Sequence, residues 1–98
     1  MTDGGLLDLL FAARVASVLD LHGRTASEAR EAVRSFHSLA ARRWPGSVVH
    51  IITGKGRGSV GRPVLRGAVA GMLRGELAPR IADWARDADE GGFLVRMR

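Results

Sequence analysis

The chain contains no cysteine. That rules out a disulfide framework and any thiolate metal site. It fits a reducing compartment. Tyrosine is missing too, and the aromatics are three Phe and two Trp. With so few, Trp44 and Trp84 read as core anchors rather than base-stacking platforms. No uncharged apolar run is long enough to span a bilayer, so no membrane partner is expected. Positive charge is lacking at the start, where Asp3 and Asp8 stand in place of a basic targeting region. No small-residue cleavage pattern follows the first apolar stretch. We expect a cytoplasmic protein.

Acids are scarce in one region. Residues 1–50 hold six Arg and five acids, whereas residues 51–98 hold nine Lys or Arg and five acids. From Thr53 to Gly75 there are five basic residues, Lys55, Arg57, Arg62, Arg66 and Arg74, and no acid. Such a patch concentrates a polyanion, and nucleic acid is the common cytosolic one. The alternative is a solvated basic face.

What remains is ordinary for one small domain. The 98 residues are 46% apolar and 26% charged. Residues 6–13, "LLDLLFAA", suit a short helix within an apolar extension over 1–15. Residues 16–98 form the domain proper. "SVLDLH", 17–22, fits a buried strand that Gly23 ends. "TASE", Thr25 to Glu28, is a capping-box pattern. Ala29, Ala32, Val33, Phe36, Leu39 and Ala40 then recur at helical spacing to about Arg43, and Pro45-Gly46 stops the helix. "VVHIIT", 48–53, reads as a strand.

Pro63 suits the first turn of a second helix. Its apolar face is Val64, Leu65, Ala68, Val69, Met72 and Leu73. Gly67 and Gly71 within it suggest close packing on a sheet, and Gly75 ends it. "RIADWARDADEGG" is ambiguous, since Ile81, Trp84, Ala85 and Ala88 have helical spacing while a strand over 81–84 also fits. "FLVRMR", 93–98, alternates like a strand. Two β-to-α passages imply parallel pairing with right-handed crossovers.

Two motifs carry chemistry. The first is the glycine-rich loop "TGKGRGSVG", 53–61. Its Gly56-x-Gly58-x-x-Gly61 spells a dinucleotide fingerprint, but too little chain follows for the further βα units that such a domain needs. The physics survives: glycines let amides approach a phosphate, and a helix N-terminus favours anions. The loop is read as a phosphate cradle. The second motif is "LDLHG", 19–23. In a strand, Asp20 and His22 share one face while Leu19 and Leu21 face the helices. The pair would stand at the carboxyl end of its strand, at the same sheet edge as the loop after Thr53. A carboxylate, an imidazole and a phosphate cradle would then be neighbours. His37 and His50 have no metal-ligand spacing and read as structural or surface residues.

"LDLHG" before a capped helix, "IITGKG" after a second strand, and "PVL" opening a second helix together resemble the small MutS-related (Smr) domain, over about residues 17–98. The late "DADEGG" and final strand are similar to the end of that family, though Gly91-Gly92 runs directly into Phe93 where the family has Gly-Gly-x-Gly. The resemblance implies an α/β two-layer sandwich, a four-stranded mixed sheet with two helices in the order β-α-β-α-β-β, similar to the carboxyl-terminal domain of bacterial translation initiation factor three. It makes the ambiguous piece the third strand and places the last strand, antiparallel, inside the sheet.

The resemblance also implies a nucleic-acid-binding domain with endonuclease (nicking) activity on DNA or structured RNA. The alternative is a non-catalytic module gripping phosphates. On the first reading Asp20, His22 and Lys55 are catalytic. Thr53, Gly54, Lys55, Gly56, Arg57, Gly58 and Arg62 bind nucleic acid. No dedicated metal site is identified, although Asp20 could serve with or without a divalent ion such as Mg²⁺ or Mn²⁺. The expected partners are DNA or RNA and, for substrate choice, a larger recognition partner; a monomer is the expected state.

Overall fold

A computed structural model describes residues 14–54, 62–88 and 91–98. The apolar segment 6–13 and the loop residues Lys55, Gly56, Arg57 and Gly58 lie outside the described residues. Strand β1 covers Val15–Asp20, helix α1 Ala26–Arg43 and strand β2 Val48–Ile52. Helix α2 covers Arg62–Arg74 and is followed by a 3-10 turn, Ala78–Arg80. Strands β3, Ile81–Arg86, and β4, Gly92–Met97, complete the order.

The capping box forms as its letters predict. Glu28 N–H donates to the Thr25 hydroxyl at 3.1 Å, and Thr25 N–H donates to the Glu28 carboxylate at 2.9 Å. From this start α1 buries Ala29, Val33, His37 and Ala40 along one stripe.

The sheet order is β1-β2-β4-β3. β1 and β2 are parallel, and β4 is antiparallel to both β2 and β3. The fold is therefore the expected four-stranded mixed sheet with two helices. Both crossovers, β1 to β2 and β2 to β3, advance the same way across the sheet. Right-handedness then puts α1 and α2 on one face. There Val33, Leu65, Val69 and Leu73 meet Val49, Ile51, Ile81, Phe93, Val95 and Met97 from the sheet. Val48, Ala85 and Leu94 form a smaller cluster on the other face.

The segment that read two ways is a strand, and the source of its helical spacing is visible. The β3–β4 register shifts between Ile81 and Asp83. The shift turns both Ile81 and Trp84 toward the helices, three residues apart, where strict alternation would separate them. Trp84 meets Phe93 edge-on, with ring centroids 5.6 Å apart. Trp44 also packs against the core, as its residue type suggests.

Three local expectations are corrected. The first strand is shifted from 17–22 to Val15–Asp20, and it is an edge strand with Val18 54% exposed rather than a buried one. Val64 is 61% exposed, so the apolar face of α2 starts at Leu65. Gly67 and Gly71 do not serve close packing: both are exposed, and a Cβ on either would meet nothing within 4 Å.

Candidate functional site

The first motif is built by β1 running out beside β2. Asp20 pairs with Ile52 in the parallel register. Leu21 N–H then donates to the Ile52 carbonyl at 2.7 Å, which carries the pairing one residue beyond the strand. Leu21 is fully buried and anchors this exit in the core. On its other side the backbone turns. Gly23 takes φ 82°, a conformation costly for any residue with a Cβ. Arg24 N–H donates back to the Leu21 carbonyl at 3.1 Å, and Thr25 opens α1 directly.

Within that turn Asp20 holds His22 twice. The His22 backbone N–H donates to Asp20 Oδ1 at 3.0 Å. The ring Nδ1 lies 3.4 Å from the same oxygen. This is the Asx-type local bond expected of an aspartate two residues before a turn amide. The ring stands with Nδ1 toward the carboxylate, and Nε2 is the nitrogen without an Asp20 contact. Both side chains are open to water, at 78% and 54% exposure for His22 and Asp20.

The second motif begins one position after β2, at the same sheet edge. Thr53 is 1% exposed. Its N–H donates to the Gly91 carbonyl at 2.8 Å, and the Gly54 N–H donates to the same oxygen at 3.1 Å. The Thr53 hydroxyl donates to it as well, at 3.2 Å. These three bonds fix where the loop leaves the sheet. Arg62 opens α2. The register brings Asp20 and His22 beside Thr53 and Gly54, while Lys55, Gly56, Arg57 and Gly58 lie outside the described residues.

The two remaining histidines have partners. His37 is buried in α1 with Nε2 3.4 Å from the Arg80 carbonyl. His50, on the helix-free face, has Nε2 2.8 Å from Asp87 Oδ2. Asp87 Oδ1 also accepts from Gly91 N–H at 2.9 Å. The sequence reading passed over Asp87. One signal was available: Asp87 is two residues beyond Ala85, so alternation continued past β3 puts it on the face of His50.

Among the described residues no three His, Cys, Asp or Glu side chains gather to hold a metal ion. Asp20 is the carboxylate the motif offers. A Mg²⁺ ion typically takes one or two carboxylates and keeps water and substrate phosphate as its other ligands, so a single aspartate fits that use. No described helix is long and apolar enough to cross a membrane.

Comparison with known proteins agrees with this fold. The family model for the Smr domain matches residues 19–95. The crystal structure of YdaL, a stand-alone small MutS-related protein from Escherichia coli, is 25% identical with a TM-score of 0.77, the alignment covering 100% of this chain and 78% of that one. No curated protein matches the chain.

Proposed function

The chain belongs to the Smr domain family, and from that premise we propose that it binds nucleic acid and nicks DNA or structured RNA. Smr domains are known generally as nucleic-acid-binding and nicking domains. The observation that carries the reading is the β1–β2 register, in which Asp20 pairs with Ile52 and so sets the Asp-His turn against the start of the glycine loop.

His22 is the proton-transfer group. Its Nε2 takes a proton from the attacking oxygen or gives one to the leaving oxygen of a phosphodiester. Asp20 positions His22 by accepting its backbone N–H and standing beside ring Nδ1. When a divalent ion is bound, Asp20 holds it, and the ion supplies charge neutralisation at the phosphate. Lys55 offsets the charge that builds on the phosphate, a large part of catalysis in such reactions. Gly56 and Gly58 allow close backbone approach, and Arg57 and Arg62 add positive charge along the backbone of the substrate.

The test is incubation of the full chain with supercoiled plasmid and with structured RNA, with and without Mg²⁺ or Mn²⁺. Asp20→Ala/His22→Ala should abolish cleavage and largely spare binding. Cleavage that survives both changes refutes the mechanism. A second reading, a binding module without catalysis, draws on the openness of the Asp20-His22 pair to water. It predicts a salt-sensitive gel shift without nicking, with Lys55→Ala and Arg57→Ala each lowering the salt slope by about one.

A further inference from the structure

The pairing of His50 with Asp87 has no part in the chemistry above, yet it is tied to the site by an unbroken chain of hydrogen bonds. Imidazole Nε2 meets carboxylate Oδ2 at 2.8 Å. Carboxylate Oδ1 accepts from Gly91 N–H at 2.9 Å. The Gly91 carbonyl takes the Thr53 and Gly54 amides at 2.8 and 3.1 Å. The Asp87 backbone N–H closes the turn on the Gly92 carbonyl at 3.0 Å.

The topology explains why this bridge can exist. His50 is on β2 and Asp87 just beyond β3, with β4 between them. Register places Leu94 between His50 and Ala85, and Gly92 opposite Ile52 in the next row on that face. The Asp87 carboxylate reaches across β4 to the His50 imidazole. The two side chains are 13% and 23% exposed, so each would lose a good partner with little water to replace it.

We propose that Asp87, supported by His50, is a positioning residue for the site: by holding Gly91 it fixes where the second motif leaves the sheet beside Asp20 and His22. Its bearing on cleavage rests on the nicking activity proposed above. Its bearing on the loop origin does not.

The experiment compares the full-length wild type with Asp87→Ala, Asp87→Asn and His50→Ala by amide hydrogen exchange, alongside plasmid nicking. In Asp87→Ala, the Thr53 and Gly54 amides exchange about ten-fold faster or more, while the Val95 amide in β4 keeps its protection. Asp87→Asn restores protection, since its amide oxygen accepts from Gly91 and its NH₂ donates to His50. His50→Ala moves the same amides in the same direction, and the double Ala variant adds little to Asp87→Ala because the two act as one unit. The nicking rate falls about ten-fold in Asp87→Ala, with affinity for the plasmid changed far less.

Wild-type exchange at Thr53 and Gly54 in Asp87→Ala overturns the proposal. So does faster exchange with an unchanged nicking rate. Should Asp87→Ala fail to fold, His50→Ala and Asp87→Asn decide the matter through the same amides. A wild type that neither binds nor nicks overturns the proposed function, while the exchange result still decides whether Asp87 holds the loop origin.

Discussion

Gly92→Ala should be among the most damaging single changes in this domain. A Cβ there would fall on the Ile51 carbonyl oxygen, 2.9 Å from Ile52 Cα and 3.0 Å from the Ile51 carbonyl carbon. All three atoms are backbone, so no side chain can swing aside. Carbon contacts settle near 3.5–4.0 Å, so β4 must retreat from β2 by roughly 0.5–1 Å at this row. The bonds that bear the retreat are Thr53 to Gly91 at 2.8 Å and Gly54 to Gly91 at 3.1 Å. Leaving two such groups unpaired in a buried turn costs about 1–3 kcal/mol each, hence roughly 2–6 kcal/mol together. That is a large share of the ~5–15 kcal/mol that holds a domain together. At about 4–8 °C per kcal/mol for this size, Tm should fall by more than about 8 °C. Gly71→Ala is the control, since its Cβ would stand in open space on a helix. It should stabilise by about 1 kcal/mol and raise Tm by several degrees. The assay is thermal and urea unfolding followed by circular dichroism. A Gly92→Ala protein melting within about 3 °C of wild type would refute the steric reasoning.

Other substitutions separate core from surface and test the cap. Leu73, 1% exposed, should cost about 2–5 kcal/mol as Ala, whereas Val64, 61% exposed, should change stability by less than about 0.5 kcal/mol as Ser; urea titration distinguishes them. Thr25→Ala removes the α1 cap and should cost about 1 kcal/mol in the same assay. The cap also predicts an acid dependence. Thr25 N–H, and then its hydroxyl, hold the Glu28 carboxyl below the usual carboxylate range. A carboxyl depressed in the folded state contributes stability above its unfolded pKa and loses it as pH falls through the folded value. Wild type should therefore lose more stability than Glu28→Gln, which has no carboxyl to titrate, on acidification across the carboxylate range, and equal acid slopes would count against the cap.

How much of this was legible in the sequence depends on how far apart the causes lie. The bounds of α1 were legible because their signals are local, Thr25 and Glu28 three residues apart and Pro45-Gly46 beyond, but Leu39, read into its apolar stripe, is 39% exposed and His37 is buried there instead. β2 was equally plain from its β-branched run. That "LDLHG" leaves the sheet at the same edge as Thr53 followed from two parallel strands and needed no further information. β3 was ambiguous because a register shift gave a strand the spacing of a helix. The outward face of Gly67 and Gly71 was missed because glycine carries no hydropathy to orient it. The bonds from Thr53 to Gly91 were not legible because the partner is 38 positions away. Asp87 was harder to find for the same reason: alternation past Ala85 gives its face, but its partner His50 is 37 positions away across β4.

The openness of the Asp20-His22 pair bears on how such a site could work at all. The cavity of about 300 Å³ lined by Arg34, His37 and Arg80 includes neither residue, and the Arg34 guanidinium there already pairs with Glu76 at 3.0 Å. A pair standing in water gains little from electrostatics, because the solvent screens it. Catalytic dipoles and charges act strongly only where water is excluded. On an open sheet edge, exclusion has to come from the substrate. A mononucleotide would cover too little of the turn to provide it. A polymer lying across His22, the loop origin at Thr53 and the start of α2 would cover all three at once. Its phosphates would dry the pair while the basic loop offset their charge. Binding area and catalytic strength would then rise together, so substrates shortened below the width of this edge should lose turnover as well as affinity.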